Sequence, residues 1–269
     1  MLDKNFLEDY NKRNAIPVNP RRNLTEYLQS EILAALYESK YGRHFSFMGG
    51  TCLRFVHKID RFSEDLDFDL ILKQGNPDIK GVADYIEKKL KELGFAAETR
   101  LKERQNIFVI YVKFSSVMKE MGLSGMANQK LTVKFEVDPN PPKRIEIESK
   151  EISAYGKTFN LACNALETLF AQKIIAAAFR PFQKGRDFYD LVWFLLQKDL
   201  EPNYDLLLEK KIKARNREQL VQVLKKTIAK ANLPEAVADV ERFLFRKEKA
   251  KWILNLPKYL EDYAKYKKV

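Results

Sequence analysis

Three aspartates at alternate positions, Asp65, Asp67 and Asp69, constrain this chain more than any other part of its sequence. They lie in an apolar stretch that is typical of a β-strand, and alternation along a strand places all three on one face. Neighbouring carboxylates repel one another, and a protein core does not accept them unpaired. A divalent metal ion is the usual reason for gathering them, so the stretch predicts a metal site.

Two glycines precede this strand. An apolar run over residues 45–48 stops at Gly49 and Gly50, and a helix-like stretch begins at Thr51. Glycine reaches backbone angles that are closed to other residues, so a phosphate can approach the main chain closely. The first amides of a helix also favour an anion. A plain Gly-Gly turn beside a solvated acidic edge strand is the alternative, but glycines and acidic strand in this order favour a phosphate-transfer site that binds Mg²⁺.

Two segments of the chain carry a resemblance to a known family. The first is Gly-Gly-Thr at residues 49–51 with Arg-Phe-Ser-Glu-Asp-Leu-Asp-Phe at 61–68. The second is Leu-Glu-Thr-Leu-Phe-Ala-Gln-Lys at 166–173, followed by Arg180 and by Arg-Asp-Phe-Tyr-Asp at 186–190. In this order they resemble the nucleotidyltransferase-like AbiEii toxin family, which is part of the polymerase-beta nucleotidyltransferase superfamily. The resemblance covers residues 25–200 or so.

The resemblance implies transfer of a nucleoside monophosphate from an NTP to an acceptor hydroxyl, with release of pyrophosphate. Members of the family act as toxins paired with an antitoxin, and some modify tRNA. It therefore implies tRNA as the acceptor, an antitoxin as a protein partner, and Mg²⁺ or Mn²⁺ as the cofactor. Which NTP is used does not follow from the sequence.

The residue types and the resemblance together predict a set of site residues. The predicted catalytic residues are Asp65, Asp67, Lys173 and Asp190. The predicted nucleotide contacts are Gly49, Gly50, Thr51, Arg54, Ser63 and Arg186, with Arg61 as a further cation for the phosphates. The predicted metal ligands are Asp65, Asp67 and Glu136.

The metal ligands leave alternatives open. The third aspartate of the strand permits a metal pair of the second and third, although the match to Ser-X-Asp-X-Asp favours the first and second. On a later strand, Lys134, Glu136 and Asp138 alternate with apolar residues and share a face. Glu136 matches the third carboxylate of the superfamily by its place in the strand, and Asp138 is its rival. The alternative is a strand with one solvent-exposed polar face and no role in metal binding.

The later motif also has structural interpretations. Lys173 borders an apolar helical stripe, so it either extends its ammonium to water or, as the family implies, stabilises charge on the nucleotide. Asp187 is a candidate helix cap. Arg186 and Asp190 are four residues apart, which is the spacing of an ion pair along a helix, whereas the family implies that both line the pocket.

Periodicity predicts an α+β fold: a mixed, mostly antiparallel sheet flanked by helices, with a helical C-terminal half. The resemblance implies that this sheet is nucleotidyltransferase-like. Helices are predicted over residues 21–41 and 77–93, strands over 107–114 and 130–137, and almost only helices from residue 161. The predicted domains are an N-terminal arm (1–22), an α/β core (23–158) and a helical domain (159–269) that closes the cleft.

The charge of the chain indicates an anionic partner. The net charge is +11, and residues 205–269 hold 17 Lys and Arg against 9 Asp and Glu. Cations displace counterions from phosphates, which favours nucleic acid, although a merely basic surface is the alternative. Tyr259, Tyr263 and Tyr266 lie among lysines near the end, either to stack on RNA bases or to pack a helix.

The remaining features narrow the class of protein. Cys52 and Cys163 predict buried thiols and no disulfide framework. We find neither a signal peptide nor an apolar run of membrane-spanning length, so we expect a cytoplasmic protein without a membrane partner. Two other functional classes remain: a noncatalytic relative that binds RNA or protein, and a metal-dependent phosphodiesterase.

Overall fold

The computed structural model describes residues 3–125, 129–180 and 183–266. The α-helices are α1 (Lys4–Arg13), α2 (Pro20–Tyr37), α3 (Gly49–Phe55), α4 (Ile79–Glu92), α5 (Val117–Glu120), α6 (Leu166–Phe179), α7 (Gly185–Leu195), α8 (Tyr204–Glu209), α9 (Arg217–Ala229), α10 (Leu233–Glu241) and α11 (Leu256–Lys265). The strands are β1 (Phe45–Met48), β2 (Leu66–Leu70), β3 (Ala97–Arg104), β4 (Ile107–Phe114), β5 (Leu131–Asp138), β6 (Ile147–Ala154) and β7 (Lys157–Asn164). Short 3₁₀ helices span Gly42–His44, Leu72–Gln74 and Lys247–Asn255.

The strands form one seven-stranded sheet in the order β3-β4-β5-β2-β1-β7-β6. Antiparallel pairing joins β1 to β2, β3 to β4 and β4 to β5, whereas β2 pairs with β5, and β1 with β7, in parallel. The predicted fold class, a mixed sheet with helices, is therefore confirmed. The parallel pair β2–β5 places the two acidic segments of the sequence side by side.

The chain divides into two compact units. The first comprises residues 1–58, 62–141 and 147–163, and holds the sheet with α1 to α5. The second comprises residues 59–61, 142–146 and 164–269, and holds α6 to α11. In the described part of the chain, no helix is long and apolar enough to cross a membrane. Cys52 and Cys163 are both buried thiols, as predicted.

The first twenty residues, which the sequence indicated as an arm, contain a packed helix. Asp3 caps α1 by accepting hydrogen bonds from the amides of Asn5 and Phe6. Leu7 is buried, and the Tyr10 ring stacks on Tyr155 of the same unit with 4.2 Å between the ring centroids. The predicted N-terminal arm (1–22) therefore includes a helix, and a cap and a few apolar contacts are enough to hold it despite its mostly polar composition.

Three strands were not predicted from the sequence: β3, β6 and β7. β3 and β6 are the edge strands of the sheet, and most side chains of β6 are at least partly exposed, so both lack a strong apolar pattern. Tyr155 and Gly156, with φ of 51° and 78°, form the turn between β6 and β7. β7 continues to Asn164, so the helical region begins with α6 at Leu166 and not at residue 161.

Close packing of α7 on α10 within the second unit leads to a first prediction. Gly185 begins α7, and a Cβ at this position would collide with the carbonyl oxygen of Ala236 in α10. We expect Gly185→Ala to lower the free energy of unfolding by about 1–3 kcal/mol, because the helices must separate to admit the methyl group. Urea denaturation measures the effect.

Gly125→Ala is the matched control. Among the described residues, no atom beyond the chain neighbours of Gly125 lies within 4 Å of a Cβ built there, so this change should alter the free energy of unfolding by less than about 0.5 kcal/mol. Equal stability of the two variants would contradict the packing that we describe.

Candidate active site

The acidic residues of the first unit meet where β2 and β5 run side by side. In the register of this parallel pair Asp67 lies opposite Glu136, and Asp69 lies opposite Asp138. Asp65 immediately precedes β2, which begins at Leu66. Since opposite residues of paired strands point to the same face, Asp67 and Glu136 are neighbours on one side of the sheet. We call Asp65, Asp67 and Glu136 the acidic cluster.

A lysine side chain lies within this cluster. The Lys134 ammonium is 3.5 Å from Oδ1 of Asp65 and 3.9 Å from Oε1 of Glu136. Its side chain is 43% exposed, so it reaches the carboxylates from the surface of the sheet. Partial burial alone would lower the pKa of Lys134, but the two carboxylates raise it above its usual value. The ammonium is therefore charged at neutral pH.

Gly49 lies against the second member of the cluster. Its φ is +75°, a left-handed conformation that favours glycine, and a Cβ here would collide with the Asp67 carboxylate. Gly49 and Gly50 are the first two residues of α3, so the helix begins two residues before the predicted start at Thr51. Met48 precedes them and gives the first turn no side-chain cap. The glycine thus lets the main chain approach the Asp67 carboxylate.

The loop before β2 is held in place by two buried polar side chains. The Thr51 hydroxyl donates a hydrogen bond to the carbonyl oxygen of Asp65, and Thr51 is fully buried. The Gln29 side-chain amide donates to the carbonyl oxygens of Ser63, at 3.3 Å, and Glu64, at 2.8 Å. Sequence reasoning missed Gln29, although a glutamine amid the apolar residues of a helix was a usable signal. Both contacts fix the position from which Asp65 emerges.

Arg54, a predicted nucleotide contact, forms an ion pair with Glu26 of α2. Its guanidinium donates to both carboxylate oxygens, at 3.0 and 2.9 Å. Tyr155 adds a third hydrogen bond to Glu26, at 3.1 Å. The Arg54 side chain is only 12% exposed, so its charge is largely neutralised within the protein. Sequence reasoning did not identify Glu26 as its partner.

The later motif forms a buried ionic network within the second unit. Arg61 donates two hydrogen bonds to Asp190, at 2.6 and 2.7 Å. The Lys173 ammonium lies 2.8 Å from Asp190 and 3.1 Å from Asp187. Arg61 and Asp190 are almost fully buried, and the Lys173 side chain is 13% exposed. We call Arg61, Lys173, Asp187 and Asp190 the Asp190 network.

Every titratable group with a shifted pKa in this network is driven towards its charged form. Burial alone would raise the pKa of Asp190, but Arg61 and Lys173 hold it below its usual range. Burial alone would lower the pKa of Lys173, but Asp190 and Asp187 raise it. Asp190 and Lys173 are therefore ionised at neutral pH, since each of these buried charges has an opposite charge in contact.

The predicted nucleotide contact Arg186 and another arginine of the later motif, Arg180, lie in the same unit. The Arg186 guanidinium lies over the ring of Phe243, 4.1 Å from its centroid. Arg180, which follows α6, forms an ion pair with Asp187. The carboxylate of Asp187 is therefore used in this pair and does not cap the helix, which the sequence had allowed. The N-cap of α7 is Lys184. Asp187 therefore serves the ionic network.

The aromatic residues of the C-terminal helix divide between core and surface. Tyr263 is fully buried, donates a hydrogen bond to the Leu200 carbonyl oxygen, and is covered by Arg217 at 4.2 Å. It belongs to the helical core, so the packing interpretation holds for this residue and base stacking does not. Tyr259 and Tyr266 remain partly exposed. Lys267 and Lys268 lie outside the described residues.

The acidic cluster suits a hard divalent cation by the chemistry of its donors. Carboxylate oxygens are the ligands that Mg²⁺ and Mn²⁺ prefer, and the Lys134 ammonium against two of them marks a position that accommodates positive charge. Within the described residues, however, no three Asp, Glu, His or Cys side chains converge as a ready metal-binding group. The donors of the acidic cluster therefore fit such an ion by their chemistry and not by their present convergence.

Comparisons with known proteins identify the family and the fold of the chain. A family model described as the nucleotidyl transferase AbiEii toxin of a type IV toxin–antitoxin system matches residues 31–264. A crystal structure of a candidate nucleotidyltransferase from H. pylori is 17% identical with a TM-score of 0.57, covering 92% of this chain and 96% of that chain. The structure of JHP933 from Helicobacter pylori is 16% identical with a TM-score of 0.56, covering 92% and 94%. These two likenesses show the fold alone, and no curated protein matches.

Proposed function

The chain belongs to the AbiEii nucleotidyl transferase toxin family of a type IV toxin–antitoxin system, and we propose that it transfers a nucleoside monophosphate from an NTP to an acceptor hydroxyl. Pyrophosphate is the leaving group. The observation that carries the proposal is the position of Asp67, with the Gly49 main chain on one side and Glu136 on the other. This arrangement brings a phosphate-compatible turn next to paired carboxylates.

We assign Asp65, Asp67 and Glu136 to the binding of Mg²⁺, or of Mn²⁺ in its place. The ion would neutralise charge on the phosphates and favour ionisation of the attacking hydroxyl. Asp138 is a weaker candidate, because one of its carboxylate oxygens accepts a hydrogen bond from the Asn140 amide at 2.8 Å. Asp69 is buried opposite it, which favours the pair Asp65 and Asp67 over Asp67 and Asp69.

The nucleotide contacts divide into direct and positioning residues. We assign Gly49, Gly50 and Ser63 to direct contact with the triphosphate, because Gly49 lies against Asp67, Gly50 follows it in α3, and Ser63 is two residues before Asp65 in the chain. Thr51 and Arg54 have their polar atoms engaged by Asp65 and Glu26. We therefore assign both of them to positioning the loop and the helix that carry the cluster.

Lys173 is the candidate for stabilising negative charge on the nucleotide in the transition state. Asp190 and Asp187 keep its ammonium charged and fix its direction. Asp190 is too deeply buried to meet a nucleotide as a free carboxylate, so its contribution to catalysis would be to position Lys173. Arg186, stacked on Phe243, is assigned a similar positioning role.

We propose RNA, and tRNA in particular, as the acceptor. Four cations occur within six residues between α8 and α9, namely Lys210, Lys211, Lys213 and Arg215, and all four are exposed. Phosphates bind such cations with release of counterions. The family is that of toxins with a cognate antitoxin, so we also propose an antitoxin as partner and the cytoplasm, where NTPs and tRNA occur, as the site of action.

The segment that holds these four cations, which we call the basic segment, leads to a second prediction. Replacing its four cations by alanine should weaken tRNA binding and make the dependence of log K on log salt concentration less steep by about 3 units, since each lost phosphate contact removes somewhat less than one. Binding is measured at several salt concentrations. The control replaces Lys80, Lys88, Lys89 and Lys91 of α4, which have acidic partners in the same helix. An equal loss in both variants would contradict a specific role of the segment.

The activity itself is tested by product length. Purified protein is incubated with Mg²⁺, total tRNA and each NTP in turn, and the RNA is resolved at single-nucleotide resolution. The proposal predicts RNA lengthened by one or more nucleotides with at least one of the four NTPs. Shortened RNA would establish a metal-dependent phosphodiesterase, and unchanged RNA that nevertheless binds would indicate the noncatalytic relative.

A further inference from the structure

The acidic cluster already contains a cation supplied by the protein. Lys134 and Glu136 are two residues apart on β5 and therefore share a face of the sheet. Leu66 pairs with Phe135, and the preceding residues of the two strands, Asp65 and Lys134, are therefore neighbours as well. The resulting contacts, 3.5 Å to Asp65 and 3.9 Å to Glu136, link two of the three assigned metal ligands.

The charges of the cluster match one divalent ion. Asp65, Asp67 and Glu136 carry three negative charges when ionised, and Lys134 carries one positive charge. Among these four side chains, the remaining charge of minus two balances that of a single Mg²⁺ or Mn²⁺.

The side chain of Lys134 is free to move from this position. It is 43% exposed, and its four-carbon stem lies on the surface of the sheet next to Tyr111 of β4. An incoming ion can therefore displace the ammonium without opening the core. For the same reason, removal of the charge by substitution should leave the fold unchanged.

We propose that Lys134 is an internal competitor for the divalent metal ion: it occupies Asp65 and Glu136 when no metal is bound and weakens metal binding in the absence of nucleotide. The proposal rests on the metal assignment of the proposed function. Its consequence is that metal and NTP bind together rather than metal first, because the triphosphate supplies the negative charge that Lys134 removes.

The test is a titration of the full-length protein with Mn²⁺, in which free Mn²⁺ is measured by electron paramagnetic resonance without nucleotide or RNA. We expect Lys134→Met to bind Mn²⁺ about tenfold more tightly than the wild type, because a charge close to two ligands is lost. Asp67→Asn in the same titration should weaken binding. Lys134→Gln, which keeps a polar group, should show the same direction of change as Lys134→Met.

Lys130→Met is the matched control. Lys130 lies immediately before β5, but its ammonium pairs with Glu98 at 2.7 Å and not with a member of the acidic cluster. Its removal should leave Mn²⁺ affinity unchanged. Equal or weaker Mn²⁺ binding by Lys134→Met, or no binding by any variant, would overturn the inference, provided that thermal unfolding midpoints show folded proteins.

The inference and the proposed function can fail separately. The titration contains no NTP, so tighter Mn²⁺ binding by Lys134→Met supports the inference even if tRNA is never lengthened by the protein. Conversely, lengthened tRNA together with unchanged Mn²⁺ binding by Lys134→Met would support the proposed nucleotidyl transfer and reject the role of Lys134 as a competitor of the metal ion.

Discussion

Asp67→Asn is expected to lower the rate of nucleotidyl transfer by about a thousandfold or more, with little change in stability. The carboxylate lies between the Gly49 main chain and Glu136, where the amide of asparagine fits but lacks the charge that holds a metal ion. Losing one ligand of a metal that neutralises phosphate charge removes several kcal/mol of transition-state stabilisation. Initial rates of label transfer from an α-labelled NTP measure the effect.

Asp138→Asn is the matched comparison for this variant. Asp138 lies on the same face of β5, one pleat from Glu136, and its carboxylate accepts a hydrogen bond from the Asn140 amide. We expect it to retain most of the wild-type rate, whereas Glu136→Gln should lose activity. A greater loss in Asp138→Asn than in Glu136→Gln would move the third carboxylate to Asp138, and full activity of Asp67→Asn would reject the assigned site.

Asp190→Asn is expected to lower the free energy of unfolding by about 3–5 kcal/mol. The substitution keeps the shape of the side chain but leaves Arg61 and Lys173 buried without their main counter-charge. A buried cation without a partner loses its hydration and gains nothing in return. Urea denaturation at neutral pH measures the difference between the variant and the wild type.

Asp84→Asn is the control for Asp190→Asn. Asp84 pairs with Lys80 on the exposed face of α4, at side-chain exposures of 62% and 76%, and such pairs contribute about 0.5 kcal/mol or less. If the two substitutions destabilise the protein equally, the Asp190 network does not stabilise the second unit.

The same network fixes the sign of a pH dependence. Because the folded-state pKa of Asp190 is lowered, its stabilisation is present above the ordinary carboxyl pKa of about 3.9 and is lost as the pH falls through the folded-state value. The pKa of Lys173 is raised, so its contribution is present below its ordinary pKa and is lost as the pH rises through the folded-state value. The stability difference between wild type and Asp190→Asn should therefore shrink on acidification below about pH 4.

The sequence predicted the interior of the fold better than its edges. Strand β4 was predicted with its observed ends, and β5, α2 and α4 within a few residues, because each has a regular apolar period that burial requires. The edge strands β3 and β6 and the helix α1 were not predicted, since each leaves most of its side chains at least partly exposed. Patterns of hydrophobicity report burial, and these elements bury little.

Candidate site residues could be chosen from the sequence, but their contacts could not. The alternation of β2 and β5 identified Asp67 and Glu136, and only the parallel register shows that they are opposite each other. Ion pairs such as Arg54 with Glu26, or Arg61 with Asp190, join residues far apart in the chain. No local pattern encodes such a pairing, which is why both arginines were predicted to face phosphates.

In the proposed reaction, the bond between the α- and β-phosphates of an NTP is broken and the acceptor retains the nucleotidyl group. Parallel reactions of wild-type protein, Mg²⁺ and tRNA, with the same NTP labelled at either the α- or the γ-phosphate, test this step. We expect α-label on the RNA and γ-label released as pyrophosphate. Label on the RNA from the γ-phosphate alone, or no label on the RNA from any NTP, would contradict it.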